Sequence, residues 1–179
     1  AGARGHHDVN EVGEEAVTSW CPLPDHGWMC DDAGVDYETY RAYTSRLLAS
    51  LEARSDIVGL VALGSMAEQG EVPDAFSDHD FFVIAGPHAA EAYRERSDWL
   101  PDHARIALRF RETAHGVKVV YAGGHLVEFA VFTPDEIALA RVNRYRVLLD
   151  RGDVAARMSA VAHETRARLE REAPSDEWL

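Results

Sequence analysis

The apolar positions of this chain fall into segments of two periods. From Asp36, which can cap a helix, Tyr37, Tyr40, Tyr43, Leu47, Leu48 and Leu51 recur at three- and four-residue intervals opposite Glu38, Arg41, Ser45 and Glu52, the stripe of an amphipathic helix. Ile57 to Leu63 is a short apolar run of strand length that ends at Gly64-Ser65. A polar stretch over 66–77 starts as a helical turn and becomes a loop at Gly70 and Pro73; His79 to Ile84 is then a second strand, closed by Gly86-Pro87. His88 to Leu100 suits an outer helix with Ala89, Ala92, Tyr93, Trp99 and Leu100 turned inward.

Three β-like runs follow, Ala104 to Phe110, Val117 to Tyr121 and Leu126 to Phe132, the last two joined by a hairpin turn at Ala122-Gly123-Gly124. Pro134 with Asp135 and Glu136 opens a short helix, Tyr145 to Leu149 is one further strand, and Val154, Met158, Val161 and Leu169 mark a helix from Asp153 to about Glu172. These elements predict an α/β (α+β) domain, a mixed β-sheet flanked by helices, over 35–150. The helix in 151–179 is expected either to end the chain or to open a further helical domain. Residues 1–34 show no sustained period and are rich in Gly, Asp and Glu, so a flexible acidic arm is expected there.

Composition narrows the partners. Of the 31 acids against 18 basic residues, eight lie in 1–36 beside Arg4 alone, so the folded part is only mildly acidic. No basic stripe is present to neutralise the phosphates of a nucleic acid polymer, and no apolar run reaches the roughly 18 residues of a membrane helix. Cys21 and Cys30 are too few for a disulfide scaffold, and the first residues lack the charged and apolar regions of a secretory leader, which together predict a cytoplasmic protein. Cys21, His26 and Cys30 match none of the common zinc spacings and read as incidental.

The chemistry concentrates between Ile57 and Phe132. Asp78 and Asp80 sit at i and i+2 at the start of the second strand, so both carboxylates share one face and His79 takes the other. Two such acids repel unless a cation lies between them, and Mg²⁺ takes one or two carboxylates together with water and substrate phosphate. Gly64 lets a ligand approach the backbone, and Ser65 offers a hydroxyl and amide donors to phosphate oxygens. Glu128 lies within the apolar strand Leu126-Val-Glu-Phe-Ala-Val-Phe132, where a buried carboxylate needs a metal, a basic partner such as Arg109 or Arg111, or solvent. His79, His103, His115, His125 and His163 are isolated in sequence and read as surface or satisfied histidines. Arg141, Arg144 and Arg146 form a short cluster, and Lys118, the only lysine, is a candidate phosphate contact.

Gly64-Ser65, the interval to Asp78-His79-Asp80 and a third carboxylate on a later strand resemble the nucleotidyltransferase superfamily typified by DNA polymerase beta. Val72-Pro73, Asp74 and Phe76 extend the likeness to the streptomycin-type aminoglycoside adenylyltransferases. Those enzymes carry Arg after the Ser, where this chain has Met66, and a helical C-terminal domain that builds much of the acceptor pocket. The resemblance implies transfer of a nucleoside monophosphate from ATP or another NTP to a hydroxyl of a small acceptor such as an aminoglycoside, with release of pyrophosphate and hence a role in antibiotic resistance. It implies Asp78, Asp80 and Glu128 as catalytic, Mg²⁺-binding residues and Gly64 with Ser65 as the nucleotide grip. Two alternatives stay beside it: modification of a protein partner, as in antitoxin-type nucleotidyltransferases, and a nucleotide-binding module without turnover.

Overall fold

Six strands form one mixed sheet in a computed structural model that describes residues 37–67 and 79–172. The expected acidic arm, Cys21, His26, Cys30, the polar loop and Asp78 lie outside the described residues, and Ser65 is described by its backbone alone. The elements are α1 (Tyr37–Glu52), β1 (Ile57–Leu63), β2 (His79–Ala85), α2 (Ala90–Glu95), β3 (Ile106–Arg111), β4 (Gly116–Tyr121), β5 (Leu126–Phe132), β6 (Tyr145–Asp150) and α3 (Val154–Glu172). Short 3₁₀ turns occupy Gly64–Met66, His103–Arg105 and Glu136–Leu139. This is an α+β protein.

The sheet order is β3-β4-β5-β2-β1-β6. Neighbouring strands run antiparallel except β2 and β5, which are parallel. A parallel pair needs a crossover, and α2, β3 and β4 supply it.

Alternation along each strand sends residues to two cores. On one face Phe81, Val83, Val117, Val119, Val127, Phe129 and Val131 pack with the α1 stripe of Tyr40, Tyr43, Leu47 and Leu51, and with Tyr93 and Trp99. On the other, Val61, Phe82, Ile84 and Phe132 pack with Ile137 and with Val154, Met158 and Val161 of α3. α3 meets the sheet so closely that a Cβ on Gly59 would lie 2.7 Å from the Val154 side chain and 3.0 Å from the Leu149 carbonyl oxygen. Asp150 holds the start of that helix: its carboxylate accepts from the amides of Gly152, Val154 and Ala155 at 3.0–3.1 Å. Those three N–H groups keep its pKa below the ordinary Asp range.

One helix is much shorter than the sequence predicts. α2 stops at Glu95, and Trp99 and Leu100 are buried from the following turn instead of from a helix. The Trp99 indole N–H donates to the carbonyls of Tyr93 and Arg96, at 3.1 and 2.8 Å. It satisfies the acceptors that every helix end leaves open, so the ring seals the core and ends the helix at once.

Candidate active site

The register of four strands lines up one row of side chains across the α3 face. Phe110 of β3 lies opposite Lys118 of β4, Lys118 opposite Glu128 of β5, and Glu128 opposite Asp80 of β2. α3 packs over the β1, β2 and β6 side of this face. On the β3 side no described helix covers it, and Leu108 and Phe110 are 54% and 42% exposed. Asp80, Lys118 and Glu128 are half-buried along an open hollow of about 280 Å³, which Glu112, Thr113, Gly116 and Ala130 also line.

Gly64 stands at the Asp80 end. Its φ of +56°, a region that disfavours side chains, starts the Gly64–Met66 turn, which the Ala67 amide closes by donating to the Gly64 carbonyl at 3.1 Å. A Cβ here would lie at ordinary contact distance, 3.7 Å, from Asp80 Oδ2, so the turn stands directly against that carboxylate. Met66, where the resembling enzymes have arginine, is buried in the first core.

The partner of Glu128 differs from the arginines considered from sequence. Lys118 Nζ lies 2.9 Å from Glu128 Oε1 and 3.1 Å from Glu112 Oε1. These two hydrogen-bonded carboxylates raise the lysine's pKa. Arg109 and Arg111 instead reach α2: Arg109 donates to the Arg94 carbonyl, and Arg111 pairs with Glu91. Arg141 donates to the carbonyls of Ala138 and Ala140 at the end of its own turn, and none of Arg141, Arg144 and Arg146 lines the hollow.

Behind this row the histidines that look isolated in sequence are paired. His79, fully buried, turns its ring to the α1 face. The Thr44 hydroxyl donates to the Tyr40 carbonyl at 2.9 Å, so at 2.9 Å it must accept from His79 Nε2–H. His79 Nδ1 is then the acceptor for His125 Nε2–H at 3.2 Å. Burial, with the neighbouring His125, lowers the His79 pKa to about 3; burial, with the charge of Arg46, lowers that of His125 to about 4. Both rings are neutral at pH 7. Alternation already puts His79 on the face opposite Asp80; its pairing with a residue 46 positions away follows only from the β2–β5 alignment.

Asp80 and Glu128 on adjacent strands, beside the Gly64 turn, supply the hard oxygen donors that a divalent cation takes, and the donor chemistry fits Mg²⁺. Among the described residues no cluster of three metal-binding side chains occurs; Asp78, the third expected ligand, is outside them. Nor is any described helix long and apolar enough to cross a membrane. No protein-family profile matches the chain, and no curated protein is detectably similar to it.

Proposed function

We propose that this protein is a metal-dependent nucleotidyltransferase with the fold that its motifs resemble, moving AMP from ATP to a hydroxyl of a small acceptor such as an aminoglycoside. The observation that carries the reading is the cross-strand pairing of Asp80 with Glu128 on the open face, beside the Gly64 turn, which stands against the Asp80 carboxylate. An apolar strand, a tight turn, an acidic strand and a parallel strand bearing one more acid support it.

In this reading Asp80 and Asp78 hold Mg²⁺, and Gly64 with Ser65 holds the terminal phosphates. The bound ion supplies charge neutralisation for the triphosphate and for the oxygens that attack and leave. Glu128 would complete the second metal site or accept the proton of the acceptor hydroxyl as that oxygen bonds to the α-phosphorus and the bond to the departing pyrophosphate breaks. The chain's part is otherwise positioning: both carboxylates stand on central strands whose inward neighbours, Phe81 and Phe129, are locked in the core.

Calorimetry with ATP and Mg²⁺, alongside pyrophosphate release over a panel of aminoglycosides, tests this. Asp80→Asn and Glu128→Gln should each lower turnover by at least about 100-fold, since losing a group that merely orients a metal ligand already costs 10–100-fold. Unchanged binding and turnover in both variants would sink the assignment.

A further inference from the structure

We infer that Lys118 is an exchangeable cation of the site, which neutralises Glu128 while the hollow lacks a divalent ion and turns to the nucleotide's phosphate chain when such an ion takes Glu128. The inference rests on the nucleotidyltransferase reading. Its first support is position. Lys118 stands directly across from Glu128, with Asp80 on the next strand beyond, and is the only cationic side chain among the described residues lining the hollow.

The second support is residue choice. This chain has 18 basic residues, and Lys118 is the only one that is not arginine. An arginine here would grip a carboxylate with two parallel N–H bonds, whereas lysine offers a compact charge on a flexible stem whose three donors can be re-aimed. A static ion pair favours the first; a partner that must let go favours the second.

The third is charge. Asp80, Glu112 and Glu128 leave the hollow acidic even with Lys118 present, so a triphosphate enters only with added cation, and each positive group there has value for it. The Lys118 pairs are partly exposed, with side-chain exposures of 25% for the lysine against 30% for Glu128 and 47% for Glu112; pairs so open to solvent are weakly held. Release of Glu128 is cheap, and the freed ammonium remains at the rim of the hollow.

Titrating Mn²⁺ alone, and then ATP in saturating Mn²⁺, into the wild type, Lys118→Met and Lys118→Arg tests the exchange by binding heat. Lys118→Met should bind Mn²⁺ more tightly than wild type, because the competing cation is gone, and bind ATP about tenfold more weakly, the loss of one charged hydrogen bond. Lys118→Arg should bind Mn²⁺ more weakly than wild type, since its fork holds Glu128. A purely structural pair would move both affinities together or leave both unchanged, and either result in a folded variant overturns the proposal. Wild type that binds neither Mn²⁺ nor ATP would instead overturn the nucleotidyltransferase reading on which it rests.

Discussion

The two faces of the β-sheet are built from the same strands and treat polar side chains in opposite ways. On the α1 face His79 and His125 are buried, neutral and ordered by a single run of hydrogen bonds from the Tyr40 carbonyl. One residue further along the same strand, Asp80 points to the open face, where Lys118 is ion-paired with Glu128 and Glu112 beside solvent. A buried ion carries a large desolvation cost, so these two rings stay neutral, whereas Arg94 of α2, also buried, is ion-paired with Glu136 and Glu91 and donates to the Val131 carbonyl. The open face can keep charges because water reaches them, and there they remain available to a ligand.

The largest expected effect sets neighbouring residues of β5 against each other. Phe129 packs on Trp99 and Phe81 with ring centroids 4.9 and 5.8 Å away. Phe129→Ala should lower stability by about 3–5 kcal/mol through lost burial and the cavity left behind. Glu128→Gln, one position earlier, should stay within about 1 kcal/mol, the scale of an exposed ion pair. Urea denaturation of the two variants would erase the contrast between the faces if both lost several kcal/mol.

Acid should next act on the closed face. The folded-state pKa values of the two histidines are depressed to about 3 and about 4, while unfolded histidine titrates near 6.5. Below pH 6.5 the unfolded chain therefore binds protons that the folded chain refuses. Stability is present in full above that pH and declines as pH falls towards 4, by up to about 1.4 kcal/mol per unit for each ring. Between pH 7.5 and 5 the loss should reach about 2–4 kcal/mol in metal-free urea melts. His125→Gln keeps a neutral donor for His79 and should roughly halve the slope; an unchanged slope would mean that other groups carry it.

How far the sequence revealed these faces follows from what each depends on. β1 is a continuous apolar run, and β2 and β5 are apolar apart from His79, Asp80 and Glu128; their lengths and flanking glycines identify them, and the α1 stripe is complete from Tyr40 to Leu51. Alternation alone places His79 and Asp80 on opposite faces. The partners are another matter: that Glu128 meets Lys118 and not Arg109 or Arg111, and that His79 meets His125, depends on β4 and β5 pairing in one register and β5 and β2 in another. No local pattern encodes such pairings. The early end of α2 was hidden for a related reason, since Trp99 and Leu100 suit the helical stripe and reach the same core from a turn.

The smallest predicted effect tests where the open face begins. α3 covers the β1, β2 and β6 side of that face, and its first turn is tied down by the Asp150 carboxylate through three backbone amides. An acid so placed also meets the positive end of the helix dipole. Asp150→Ala should lower stability by about 1 kcal/mol, as loss of an N-terminal cap usually does. Asp150→Asn should retain part of that, since its carbonyl can still accept one or two of the bonds. Because Asp150 lies at the far end of β6 from the Asp80 row, Mn²⁺ affinity should be unaltered in both variants. Loss of Mn²⁺ binding in Asp150→Ala while the chain stays folded would show that the α3 cover and the hollow are one unit, and that the open face owes its geometry to the helix beside it.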